Sequence, residues 1–150
     1  MAAAVRADQP NPAEAPLAIW LDAQRHEVFA AVLRIVVSGD AAGLPEFEYL
    51  DDPSVATPAD VLERWMEQAW WGSMTFAGDG VLTSGDILSH RLGTGLRVID
   101  PTPLLAPAIG WLAELRAAAG QAFPPHAVRP IYLRRSDVEL ARDRQRASGV

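Results

Sequence analysis

The stretch 17-LAIWLDAQRHEVFAAVLRIVV-37 decides how the rest of the chain is read. Two apolar runs, Leu17 to Leu21 and Glu27 to Val37, flank the polar segment Asp22-Ala23-Gln24-Arg25-His26, and the second run is rich in β-branched residues before it ends at Ser38-Gly39-Asp40. Branched side chains pack well on a pleated surface and a polar break between two such runs is a turn signal, so the stretch predicts a β-hairpin. Spacing alone also allows a helix for the second run, because Ala30, Ala31 and Leu33 are good helix formers. The hairpin is the reading adopted.

Working outward, Phe47 to Leu50 is a candidate third strand before a loop at Asp51-Asp52-Pro53-Ser54. Thr57-Pro58-Ala59-Asp60 is a helix start: a hydroxyl to accept an orphan N–H, a proline at the first helical position and an acid in the first turn. The helix is expected to run to about Trp71, with Val61, Leu62, Trp65 and Ala69 forming an apolar face against a sheet. Ser73 to Ala77 is the next strand, followed by Gly78-Asp79-Gly80, a helix-compatible segment from Ser84 to Leu92, and a strand from Leu96 to Ile99. Asp100-Pro101-Thr102-Pro103 opens a helix from Leu104 to about Ala119, with Leu105, Ile109, Leu112 and Leu115 on one face and Trp111 beside it. Val128 to Leu133 is the last candidate strand, and strand-helix-strand-helix order implies a βαβ crossover. The fold class is therefore α/β: a mixed sheet that opens with a β-hairpin and continues with alternating helices and strands.

The chain has 150 residues, which suits one domain. With 49% apolar and 21% charged residues it can build a core, and neither a disordered polymer nor a fibrous repeat fits. Residues 1–16 (MAAAVRADQPNPAEAP) are Ala/Pro-rich without apolar periodicity and read as a disordered lead-in; 17–135 is the domain and 136–150 a charged, poorly ordered tail. No secretory signal and no apolar run of membrane-spanning length is present, so a soluble, cytoplasmic protein is expected. Zero cysteines exclude disulfides, thiolate metal sites and cysteine nucleophiles. The net charge of −6 argues against binding nucleic acid through bulk electrostatics. All 13 basic residues are arginine, which removes Schiff-base chemistry and a phosphate-loop lysine.

Motifs that carry chemistry are sparse. His26, His90 and His126 lack metal-ligand spacing, and no G-x-S-x-G elbow is present. No catalytic residue, metal or cofactor is assigned. Gly78-Asp79-Gly80 lacks the third glycine of a dinucleotide loop and its aspartate would repel an anion, so it reads as a strand-to-helix turn. Trp70 and Trp71 are candidate interface residues, since exposed tryptophans concentrate binding energy.

Three segments together resemble one family. Asp22, Ala23, Arg25, Glu27 and Val28, within Leu21 to Ala31, look like the strand-turn-strand that begins the second lobe of the bacterial tRNA threonylcarbamoyladenosine biosynthesis family TsaB. Pro130, Tyr132, Leu133 and Arg134 are similar to the close of that lobe, and Gly78, Asp79 and Gly80 sit where the family has a strand ending in a glycine turn. The resemblance spans about Ala18 to Arg135 and implies an RNase H-like half of the sugar-kinase/heat-shock/actin architecture (glycoprotease-like). It also implies a noncatalytic partner in tRNA processing, working with a metal-containing TsaD-like subunit and a TsaE-like ATPase in a protein complex, with tRNA contact only indirect. Two departures stand out. The family's first lobe, with its Asp-Thr-Ser turn and its glycine-rich loop, has no counterpart here, and His26 stands where the family has glycine. A split protein completed by a separate first lobe, a truncated or misplaced start, or a remnant with another role would each account for the first; a split protein would expose apolar surface exceeding a few hundred Å2. A standalone protein-interaction module and a small hydrolase are the alternatives from other classes.

Overall fold

A computed structural model describes residues 15–37, 44–99, 105–134, 142 and 145–146. Strands β1 (Leu17–Asp22), β2 (Val28–Val37) and β3 (Pro45–Ala56) lead into helix α1 (Pro58–Met66). Strand β4 (Thr75–Ala77), helices α2 (Gly80–Thr83) and α3 (Gly85–Leu92), and helix α4 (Leu105–Ala118) follow. The four strands form one mixed sheet in the order β3-β2-β1-β4, in which β1 is antiparallel to β2, β2 antiparallel to β3, and β1 parallel to β4.

The hairpin forms as its pattern requires, with Leu17 opposite Leu33 and Asp22 opposite Val28. Because side chains alternate along a strand, this register sends Ala18, Trp20, Val28, Ala30 and Val32 to one face. There they pack with Val61, Leu62 and Trp65 of α1, Phe76 of β4, Val81 of α2 and Leu88 of α3. Thr57 caps α1 as expected: its hydroxyl accepts the Asp60 backbone N–H at 3.3 Å. Trp20 lies edge-on to Trp65 (centroids 5.5 Å apart) and to Phe76 (5.8 Å). Such pairs contribute about 0.5–1.5 kcal/mol each beyond area burial, so this aromatic triad is the energetic centre of the domain. Trp65 also anchors α1 to β3, since its Nε1 donates to Asp51 Oδ2 (2.8 Å) while Arg64 donates to the same oxygen (2.8 Å) and to Ser54 Oγ (2.9 Å).

The other face of the sheet is also apolar. Leu17, Ile19 and Leu21 of β1 continue through their partners Leu33, Ala31 and Phe29, and through the pairs Leu33–Tyr49 and Ile35–Phe47 into β3. The groove there, about 180 Å3, is lined by strand residues together with Leu133 from near the end of the described chain.

Several expectations are corrected. The third strand does not stop at Leu50; it runs through Asp51 to Ser54, with register irregularities opposite Ala30 to Leu33. Pro53 is tolerated because β3 is an edge strand and a missing N–H there breaks no required ladder bond. Helix α1 ends at Met66 rather than near Trp71. Successive turns (Gln68 N–H to Trp65 O, Trp71 N–H to Gln68 O) fold the chain back until the positive φ of Gly72, and they seat the Trp70 ring edge-on against Trp65 at 5.9 Å, leaving Ala69 exposed. The strand at Leu96 to Ile99 reduces to one parallel bridge, Phe76 to Val98. Val128 to Leu133 forms no strand and is exposed until Leu133; Pro130 within it withholds a donor from any ladder. Helix α4 forms where expected but buries no residue. Ala15 and Pro16, placed in the lead-in by the sequence reading, are buried, and Pro16 O accepts the Thr75 N–H at 2.9 Å. The rest of the lead-in, 1–14, and most of the tail lie outside the described residues. Among the described residues no helix is long and apolar enough to cross a membrane.

Candidate functional site

The hairpin turn, the glycine turn after β4 and the stretch at Leu133-Arg134 meet at one end of the sheet. Strand β1 delivers Asp22, whose carboxylate organises the turn: Oδ1 accepts the Gln24 backbone N–H at 2.8 Å, an Asx-type turn, and Oδ2 accepts Gln24 Nε2 at 3.0 Å. The loop closes with Ala23 N–H to Glu27 O (3.1 Å) and Glu27 N–H to Gln24 O (3.0 Å). Gln24, Arg25 and His26 all have φ near +60° (61°, 56° and 61°). Left-handed backbone costs a non-glycine residue roughly 1–2 kcal/mol, so three in succession persist only because the flanking strands and the Asp22 bonds over-determine the turn.

Gly78-Asp79-Gly80 is the strand-to-helix turn that its composition predicts, and its glycines are required by contact. A Cβ on Gly78, which has φ +125°, would lie 2.3 Å from the Trp20 carbonyl oxygen, and one on Gly80 would lie 2.7 Å from the Leu21 carbonyl carbon. This close approach lets Asp79 Oδ1 accept the Asp22 backbone N–H at 3.1 Å, holding β1's end against the start of α2. From far along the chain, Arg134 pairs with Glu27 and sets its guanidinium 5.8 Å from the centre of the Phe29 ring, while Leu133 lines the apolar groove. The structure thus brings together Asp22, Ala23, Arg25, Glu27, Val28, Gly78, Asp79, Gly80, Leu133 and Arg134. Pro130 and Tyr132 stay exposed. Trp70 and Trp71 lie before β4, at the opposite end of that strand from the glycine turn, half-buried against the core.

Beside the hairpin turn opens a cleft of about 540 Å3. Asp22, Gln24, Arg25, His26 and Glu27 form one wall, and Pro58, Ala59, Thr83, Ser84, Asp86 and Ile87 form the other. The second wall escaped the sequence reading, since it is assembled from the starts of α1 and α3, far apart in the chain. Ser84, between α2 and α3, is 7% exposed and its side chain makes no capping hydrogen bond. Its place at a helix junction was the one available signal. Among the described residues no group of three or more His, Asp and Glu side chains is arranged to hold a metal. The carboxylates that reach the cleft from the motif residues are engaged in fold-defining bonds: Asp22 with Gln24 and Glu27 with Arg134, with Asp79 behind them on Asp22.

No protein-family model matches the chain, and no curated protein matches it significantly.

Proposed function

We propose that this chain is a noncatalytic partner lobe in threonylcarbamoyladenosine modification of tRNA beside the anticodon, acting in the cytoplasm with a TsaD-like subunit and a TsaE-like ATPase, or with a separate first lobe. The observation that carries the reading is the convergence of residues 21–31 and 78–80 with Leu133 and Arg134, segments that share no local reason to meet. Asp79 accepts the amide of Asp22, and Arg134 pairs with Glu27 across 107 positions of chain. Motif residues that hold one another are what a structural signature requires: Asp22, Glu27 and Asp79 each make bonds that fix the turn. The sheet order β3-β2-β1-β4, with a parallel bridge beyond β4, supports an RNase H-like lobe. The net charge of −6 supports leaving tRNA contact to a partner.

Pull-down from the native cell tests this. Recovery of a TsaD-like subunit or a first-lobe polypeptide is expected. Recovery of neither, together with normal modified-adenosine content in a deletion strain, would sink the proposal. The rival reading, an interaction module built on Trp70 and Trp71, requires that alanine at both positions spare the melting temperature. Their packing against the core, with Trp70 edge-on to Trp65, predicts that it falls.

A further inference from the structure

The cleft beside the hairpin turn holds two polar groups that the fold does not use. Ser84 stands at the N-cap position of α3 and is 7% exposed, yet its hydroxyl makes no capping bond and meets no other partner among the described residues. A capping serine adopts an extended backbone and accepts a first-turn N–H, whereas Ser84 has φ −110° and ψ 12°, lines the cleft and leaves the start of α3 uncapped. Asp86, in the first turn of α3, lines the same cleft, and its carboxylate has neither an ion pair nor a hydrogen bond among the described residues. We propose that these two groups are the polar ends of a binding site for an α-amino acid with an apolar side chain. Its carboxylate accepts from the Ser84 hydroxyl and from the first-turn N–H groups of α3, and its ammonium group donates to Asp86.

The charges around the cleft select this class of ligand. A phosphate would meet the carboxylates of Asp22, Glu27 and Asp86, and a bare cation would meet Arg25, His26 and the positive end of α3. Asp22 and Glu27 are already held, by Gln24 and Arg134, so Asp86 is the carboxylate left to take a donor. A hydroxyl and helix amides that need an acceptor, with a carboxylate in the same helix turn that needs a donor, match a molecule whose negative and positive groups hang from one carbon. The helix N-terminus favours the negative end, because its amide dipoles point out of α3. Ile87, Pro58 and Ala59 supply apolar lining for a side chain, and a volume of about 540 Å3 lies within the range of small-molecule sites, roughly 300–1,000 Å3. The turn on the other wall is fixed by its own bonds before any ligand arrives, which lowers the entropy lost on binding. The site asks only for binding, so it stands independently of the partner role proposed above.

The test is a titration of the full chain with leucine, followed by the amide NMR shifts of Ser84, Gly85, Asp86 and Ile87. Saturable shifts with a Kd of about 1 mM or tighter are expected. Leucinamide, which lacks the carboxylate, isocaproate, which lacks the ammonium group, and inorganic phosphate should each bind at least roughly tenfold more weakly. Ser84→Ala and Asp86→Asn should each weaken leucine binding roughly tenfold. The melting temperature of Ser84→Ala should stay at or above that of the wild type, since the change removes a buried hydroxyl that has no partner. Four outcomes overturn the proposal: no shift of these amides by leucine at about 10 mM; isocaproate or phosphate binding as tightly as leucine, which makes the cleft a plain anion site; leucine affinity unchanged in both variants; or a melting temperature that falls in Ser84→Ala, which shows the hydroxyl bonded within the folded chain.

Discussion

The two faces of the sheet are both apolar, but one is covered by helices along its length while the other is exposed over Ile35, Phe47 and Tyr49. Trp20, Val28 and Val32 on the covered face are at most 1% exposed, whereas Tyr49 on the open face is 53% exposed. Alternation along β1 and β2 supplied hydrophobic residues to both sides, so hydrophobicity does not distinguish them; the placement of α1, α2 and α3 does. A face that helices cover stabilises the domain. Exposed apolar side chains grouped as Ile35, Phe47 and Tyr49 are on the other face mark a surface suited to association.

Substitutions on the covered face should therefore unfold the protein. Trp65→Ala removes the hub of the aromatic cluster and the indole donor to Asp51, and chemical denaturation should show a loss of about 3–5 kcal/mol. Gly78→Ala places a Cβ on the Trp20 carbonyl oxygen at a backbone angle that alanine disfavours, and should cost about 3 kcal/mol by the same measurement. A change in stability under 1 kcal/mol for either would break the distinction between the faces.

These contrasts were partly legible in the residues themselves. The hairpin and α1 followed from β-branched runs and from the Thr57-Pro58 cap, both local signals. The length of β3 did not, because tolerance of Pro53 depends on its being an edge strand, which is a tertiary fact. The hairpin turn misleads for a similar reason: Gln24, Arg25 and His26 have no glycine among them, and only the bonds of Asp22 and the pairing of β1 with β2 hold them at positive φ. The glycine turn was recognisable as a strand-to-helix connection, but its backbone contact with β1 was not, nor was the cleft wall formed by two distant helix starts. Helix α4 was legible as a helix and illegible as an uncovered one, since periodicity reports an apolar face without saying what meets it.

Smaller effects sharpen the comparison at the turn. His26→Gly relieves one left-handed residue while adding unfolded-state freedom, so stability should rise by up to about 1 kcal/mol in thermal melts. Glu27→Gln breaks a partly exposed ion pair and should cost about 0.5–1 kcal/mol, with faster proteolysis of the segment that ends at Arg134. Ile35→Asp on the open face should leave the folded monomer within about 0.5 kcal/mol of wild type.

That last variant gives the most direct test of the proposed role in tRNA modification, in which the covered face builds the lobe and the exposed part of the other face meets its partner. The measurement is the threonylcarbamoyladenosine content of tRNA, by nucleoside mass spectrometry, from a deletion strain of the native cell carrying either wild type or Ile35→Asp at equal protein level. The account predicts a fall on deletion, restoration by wild type and none by Ile35→Asp. Normal content in the deletion strain, or full restoration by the variant, would contradict it.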